Sequence, residues 1–214
     1  MPKGRTKVAR TSAVVSRRSL YLRELQHLLR DGQATVSSSQ LGRLLGFSDA
    51  QVRKDLAYFG QFGRPGVGYG VAELADRLRH ILRTDRLWKV VLVGAGDLGR
   101  ALLRHRSFRR KGFELVAAFD AAEGVIGTTV GQVTVRPMRE LPAVVAEHDA
   151  KLAVLAVPPE AAQEATNALC EAGIKGILNF APASLSTPSG VTVRPVDLSA
   201  ELEQLTYSVG GEPD

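Results

Sequence analysis

Apolar residues recur at helical spacing from Ser19 to Arg30, with Leu20, Leu22, Leu25, Leu28 and Leu29 in the run. Asp31-Gly32 closes it, as a glycine after the last helical turn does. The hydroxyl cluster Thr35–Ser39 offers caps for a short helix over 40–45. Gly46-Phe47 then reads as a tight turn, and Ser48 as the cap of a third helix over 49–59. Leu41, Leu44, Leu45, Val52 and Leu56 are expected to form the shared core. Helix, glycine turn and helix is the layout of a helix-turn-helix. Tyr58–Gly70 is glycine-rich, with spacing that reads as a hairpin, or wing, tipped by Arg64-Pro65-Gly66. A linker helix over 73–82 carries Leu74, Leu78, Ile81 and Leu82 on one side.

Beyond it strands and helices alternate. Strands are expected at 89–93, 113–119, 132–136, 151–157, 176–180 and 191–195, and helices at 98–106, 139–146 and 159–171. This alternation predicts an α/β unit: a Rossmann-like, doubly wound parallel sheet with helices on both faces. Lys151–Val157 is almost wholly apolar, as a central parallel strand is. A last helical segment has Leu198, Leu202, Leu205 and Val209 on one side. It follows a complete sheet, so it either caps its own domain or crosses to a second subunit. The expected division is 1–86, 87–196 and 197–214.

At 44% hydrophobic and 23% charged, the composition is that of a globular protein. No apolar run approaches the roughly 18 residues that cross a membrane. The basic N-terminus lacks the apolar stretch of a secretory signal. The one cysteine, Cys170, cannot form an intrachain disulfide and lies in a helical pattern, so packing and a reducing cytoplasm are expected. Charge is uneven. Residues 1–89 hold 17 Lys and Arg against 7 Asp and Glu, whereas 90–214 hold 11 against 15. A basic front segment points to a polyanion partner.

Val90-Val-Leu-Val-Gly-Ala-Gly-Asp-Leu-Gly99 is a strand running into a glycine turn that opens a helix. Gly94 permits the turn, Gly96 lets backbone approach a pyrophosphate, and Gly99 lets helix and strand pack closely. Ala95, Asp97 and Leu98 complete the turn, whose helix N-terminus offers N–H groups to phosphates. Asp120, at the next strand end, is placed to bond an adenosine ribose and to favour NAD(H) over a 2′-phosphorylated cofactor. Val157-Pro158 and Asn179-Phe180-Ala181-Pro182 lie at the carboxyl ends of strands, so Val157, Pro158, Phe180 and Pro182 are expected to wall that cleft.

In the helix-turn-helix, the second helix meets base edges with its first residues. Gln51 suits adenine and Arg53 guanine; Lys54 suits phosphate. Arg64 at the wing tip suits a minor groove. Ser38, Ser39, Gly66 and Tyr69 join the same candidate interface, with Phe62 and Tyr69 read as packing rather than stacking on bases. No Ser-His-Asp set, Cys/His metal spacing or phosphate-binding P-loop is present in the sequence. Of the four histidines only His105, on the helix after the glycine turn, is expected near the nucleotide. The dinucleotide is then a ligand to be sensed.

Gln51-Val-Arg-Lys-Asp-Leu56, Tyr58-Phe-Gly60, Gly66-Val-Gly-Tyr69, Gly94–Gly99, Val157-Pro158 and Gly173-Ile-Lys-Gly-Ile-Leu-Asn-Phe-Ala-Pro182 together resemble Rex, the bacterial redox-sensing transcriptional repressors, over about residues 8 to 209. The resemblance implies a homodimer that binds operator DNA with inverted half-sites when NADH is scarce relative to NAD⁺ and releases it when NADH binds. It also implies a C-terminal helix swapped onto the partner, with Asp197, beside Leu198, facing Arg23 of the other chain. Three positions depart from the family pattern. Pro65 stands about where an arginine is usual, Asp97 where Arg or Asn is common, and His105 where tyrosine is common. The alternatives are an NAD-dependent oxidoreductase with a basic accessory domain and a nucleotide module like those of coenzyme-A ligases.

Overall fold

A computed structural model describes the backbone of residues 5–57, 60, 63 and 67–210, and side chains from residue 17 onward within those ranges. The wing tip Arg64-Pro65-Gly66, with Tyr58, Phe59 and Phe62, lies outside the described residues. The chain divides into two compact units, residues 1–86 and 87–214.

The first unit holds α1 (Arg5–Arg30), β1 (Thr35–Val36), α2 (Ser38–Leu45), α3 (Asp49–Ala57), β2 (Tyr69–Gly70) and α4 (Val71–Ile81). α1 begins fourteen residues before the expected start, because no glycine or proline interrupts Arg5–Arg30. Ser37 caps α2 by accepting from the Gln40 N–H at 3.1 Å, and Gly46 ends it at φ 72°. Ser48 caps α3 as expected, accepting from the Gln51 N–H at 3.1 Å. Tyr21, Leu25, Leu41, Val52, Leu56, Leu74 and Leu78 are fully buried together. Leu44 does not join them. It is 49% exposed, because Leu41 and Leu45 already occupy the inward side of this short helix. β1 was not expected. Val36 pairs antiparallel with Tyr69 across 33 residues, so the segment after α3 returns to the segment before α2.

The second unit is a seven-stranded sheet ordered β5-β6-β4-β3-β7-β8-β9. Its strands are β3 (Trp88–Val93), β4 (Phe113–Asp120), β5 (Thr129–Val130), β6 (Val133–Pro137), β7 (Leu152–Leu155), β8 (Gly176–Asn179) and β9 (Thr192–Pro195). All pairings are parallel except β5 with β6. Its helices are α5 (Asp97–Arg104), α6 (Ser107–Arg110), α7 (Leu141–His148), α8 (Pro159–Glu171) and α9 (Leu198–Gly210). The expected helix over 98–106 stops at Arg104 with His105 as its C-cap, and a separate short helix, α6, follows it.

Strand alternation divides the core. Val91, Val93, Phe119, Ala153 and Leu155 face α7 and α8, whereas Val90, Leu92, Ala118 and Val154 face the side packed by Leu102 and Leu103 of α5. No helix joins β8 to β9, so that second side is incompletely covered. It opens as an apolar groove of about 500 Å³ lined by Trp88, Phe108, Phe113, Leu115, Leu152 and Leu178. Cys170 is half-buried and packs against the core, with its thiol pKa raised by burial. Among the described residues, no helix is long and apolar enough to cross a membrane.

Candidate nucleotide cleft and nucleic-acid interface

In the sheet unit the chain moves from β3 outward to β4 and β6, then returns to add β7, β8 and β9 on the other side. The strand order therefore reverses between β3 and β7, and ligands of open parallel sheets bind at such a point, beyond the carboxyl strand ends. Gly94–Gly99 follows β3, Asp120 ends β4, Val157-Pro158 follows β7, and Phe180 to Pro182 follows β8. These four segments lie together at the carboxyl ends of four neighbouring strands, β4, β3, β7 and β8.

The glycines differ in what they permit. Gly94 has φ +97°, and a Cβ there would lie 2.3 Å from the Ala156 carbonyl oxygen. A Cβ on Gly99 would lie 1.9 Å from the Gly94 oxygen, so this residue sets how closely α5 packs. A Cβ on Gly96 would meet no protein atom within 4 Å. Gly96 is also the N-cap of α5 and makes no side-chain cap bond. The first turn of α5 thus presents uncapped N–H groups and a positive dipole end beside open space, which fits a pyrophosphate. Asp97 and Leu98 are exposed there.

Asp120 accepts from the Ala95 N–H at 2.7 Å and from the Ala122 N–H at 2.9 Å. One carboxylate oxygen goes to each, which fixes the group against the turn and leaves each oxygen a further acceptor site for a ribose hydroxyl. Val157 and Phe180 are half-buried; Pro158 and Pro182 are exposed. The loop carrying Phe180 and Pro182 is tied by Asn179, whose buried amide donates to the Ala181 and Ala183 carbonyls and accepts from the Ala181 N–H. His105 does not belong to this cleft. It caps the opposite end of the eight-residue α5, about 12 Å from the glycine turn at 1.5 Å per residue. There it bonds the Ser107 hydroxyl at 2.8 Å and meets the Phe108 ring edge-on at 5.4 Å. Among the described residues, no group of three or more His, Cys, Asp or Glu is placed to hold a metal.

In the first unit, Arg53 is 57% exposed, pairs with Asp49 at 2.9 Å and donates to the Ser38 hydroxyl at 3.3 Å. Ser39 and Lys54 are exposed beside them. Gln51, expected to point at bases, donates through Nε2 to Asp55 at 2.7 Å. Tyr69 is 8% exposed; it belongs to the core, and its ring is not a surface for bases. Burial raises its hydroxyl pKa. Arg64 and Gly66 lie outside the described residues. Arg23 is exposed on α1. Asp197 caps α9, accepting from the Ser199 and Ala200 N–H groups at 3.0 and 3.1 Å.

Two family models match these units separately. A putative DNA-binding protein N-terminus covers residues 11–57, and a CoA binding domain covers residues 85–183. The redox-sensing transcriptional repressor Rex of Carboxydothermus hydrogenoformans is 47% identical over 197 residues, 92% of this chain and 95% of that protein. The chain belongs to the Rex family. Among solved structures, RSP in complex with β-NAD⁺ and operator DNA matches with a TM-score of 0.88 at 34% identity, over 93% of this chain and 92% of that one. RSP in complex with β-NADH matches with a TM-score of 0.85 at 33% identity, over 92% and 93%. Rex relatives are named as repressors, not enzymes, which sets aside the oxidoreductase and ligase-module readings.

Sequence reasoning missed two residues in this Rex-family chain. In the sequence Asn179 stands only as part of a wall segment, and Asp55 only as part of a motif. An amide ending an apolar strand and an acid inside a short helix give no local sign of burial, yet they are 2% and 5% exposed. Four hydrogen bonds converge on Asp55, and they are what permits its charge to be buried.

Proposed function

We propose that this chain is a cytoplasmic, homodimeric repressor that binds operator DNA when NADH is scarce relative to NAD⁺ and releases it on binding NADH. The observation that carries the reading is the pairing, in one chain, of an uncapped glycine turn at the sheet's reversal point with a capped helix-turn-helix. The dinucleotide's pyrophosphate lies on the first turn of α5, and its adenosine ribose bonds Asp120. Its nicotinamide supplies the signal, being cationic when oxidised and neutral when reduced. Val157, Pro158, Phe180 and Pro182 wall the cleft with apolar side chains, which penalise the cation and favour the neutral ring in a closed arrangement. NADH then shifts the dimer only so far as it prefers that arrangement. Half-sites on DNA are fixed, so a changed separation of the two α3 helices breaks one of two contacts.

Dimerisation is supported by α9. Leu198, Leu202, Leu205 and Val209 are 58–85% exposed, and the helix buries none of its residues on its own chain. At 13 residues it is about 20 Å long. Its apolar stripe suits the open sheet groove of a second copy. Glu201 and Glu203 of that stripe's flank suit the groove's Lys151, Lys175 and Arg194.

The experiment is an NADH titration of operator binding, paired with calorimetry. Stoichiometric NADH binding without turnover, with loss of a salt-dependent gel shift, is expected. Turnover of NADH with a small substrate, or DNA binding indifferent to NADH, overturns the reading. Calorimetry with NADPH tests Asp120: wild type is expected to prefer NADH, and Asp120→Ala to narrow that preference.

A further inference from the structure

Asp55 lies in the last turn of the reading helix, one turn beyond Gln51, with its side chain 4% exposed. Arg17 Nε donates to it at 2.6 Å and Arg17 Nη2 at 3.0 Å, the Tyr21 hydroxyl at 3.1 Å, and Gln51 Nε2 at 2.7 Å. Burial pushes the carboxyl pKa up, but the bonds from Arg17, Gln51 and Tyr21, with the Arg17 charge, outweigh burial and hold it below the ordinary value. Tyr21 is held in its protonated, donating form, since burial and the Asp55 charge both raise its pKa. Asp55 is therefore ionised at neutral pH and can only accept.

An acceptor-only partner decides which way an amide points. The two ends of a glutamine amide have nearly the same shape, and a free side chain presents either one. Against a carboxylate only the N–H₂ end is tolerated. Gln51 must then spend one hydrogen on Asp55, leaving Oε1 and one N–H for anything outside. Gln51 is the third residue of α3, in the first turn, where a recognition helix meets base edges. One donor beside one acceptor matches adenine, whose major-groove edge offers N7 as acceptor and N6–H₂ as donor. It mismatches guanine, which offers two acceptors, N7 and O6.

We propose that Asp55 is a positioning residue for sequence reading: by holding the Gln51 amide in one sense, it makes α3 select adenine over guanine at one position of each half-site. Arg17 and Tyr21 in turn hold the carboxylate in place from α1. The proposal rests on Gln51 being a base-reading residue, and the test separates the two.

The test is selection and sequencing of bound duplexes by the full-length dimer, using wild type, Gln51→Ala, Asp55→Asn and the double variant. Asparagine keeps the shape but offers a donor end as well, so it frees Gln51 to turn over. Wild type is expected to prefer adenine over guanine at one position by about tenfold, the scale of one bidentate contact. Gln51→Ala is expected to abolish that preference. Asp55→Asn is expected to reduce it to within about threefold while the other positions keep theirs, and the double variant is expected to match Gln51→Ala there. Loss of affinity spread evenly over all positions in Asp55→Asn, with the adenine preference intact, overturns the proposal and leaves Asp55 a purely structural tie. An unchanged preference in Gln51→Ala overturns the reading of Gln51 itself. If Asp55→Asn does not fold, NMR of the wild-type Gln51 side-chain amide decides instead. A rigid amide with one proton shifted by a hydrogen bond supports the proposal, and a mobile amide with ordinary shifts overturns it.

Discussion

At the residue scale, two glycines three positions apart do different work. A methyl group on Gly99 would collide with the backbone at Gly94, whereas one on Gly96 projects into open space. Gly99→Ala is expected to cost about 1–3 kcal/mol as an overpacked contact and to displace the turn. Gly96→Ala is expected to melt like wild type yet lose NADH affinity tenfold or more, because the methyl group stands where the pyrophosphate would lie. Thermal melting and calorimetry on the two variants check this; a Gly96→Ala protein that binds NADH normally removes the pyrophosphate from this turn. On α3 the contrast is between a directed and an undirected cation. Arg53→Ala is expected to cost about 1–3 kcal/mol at the cognate site and to relax one base position. Lys54→Ala is expected to weaken binding to every sequence and to flatten the salt slope by about one unit, as read from gel shifts at several salt concentrations.

At the element scale, α1 and α3 are joined through Asp55, and the joint has a pH signature. The folded carboxyl pKa lies below its ordinary value. Its contribution to stability is therefore complete above about pH 4 and is lost as pH falls through the lower, folded value. Trp88, the one tryptophan, belongs to the second unit. Acid unfolding seen by helical circular dichroism but not by Trp88 fluorescence thus reports the first unit. That acid limb is expected to flatten in Asp55→Asn. α9 gives a second element-scale prediction. Leu202 is 63% exposed on its own chain. Leu202→Asp is expected to leave the monomer's melting unchanged while shifting sedimentation toward monomer; a dimer that survives it places the interface elsewhere.

At the scale of the whole molecule, the question is how nucleotide state reaches the DNA-reading helices. The proposed pair joins Asp197 of one chain to Arg23 of the other. Asp197 also caps α9 through two N–H groups, so its removal has two effects. Asparagine caps a helix about as well as aspartate but carries no charge. If the charge relays the signal, Asp197→Asn and Asp197→Ala should both bind NADH almost normally while altering NADH-driven release of DNA. If only the cap matters, Asp197→Asn should behave like wild type. Release curves against NADH for the two variants distinguish these outcomes.

What local forces settle was legible in the chain. α8 occupies Pro159–Glu171, the expected range, because a proline at its start and the Gly173 turn beyond its end act within a few residues. The central strands and the glycine turn follow from alternation and backbone freedom, which are equally local. Other features needed the folded chain. β1 exists only because Tyr69 returns to Val36, a pairing invisible to any short window. Leu44 faces solvent and Asp55 is buried because a short helix turns one side inward, and the partners on α1 decide which side that is. His105 shares a helix with the glycine turn but sits at its other end, so chain proximity did not become proximity in the cleft. The open groove follows from the helix-free connection between β8 and β9. Residue spacing determined which elements form and which chemistry each carries, since those terms decay within a turn or two. Tertiary structure alone decided which faces meet, and with them the burial of Asp55 and the direction in which Gln51 points.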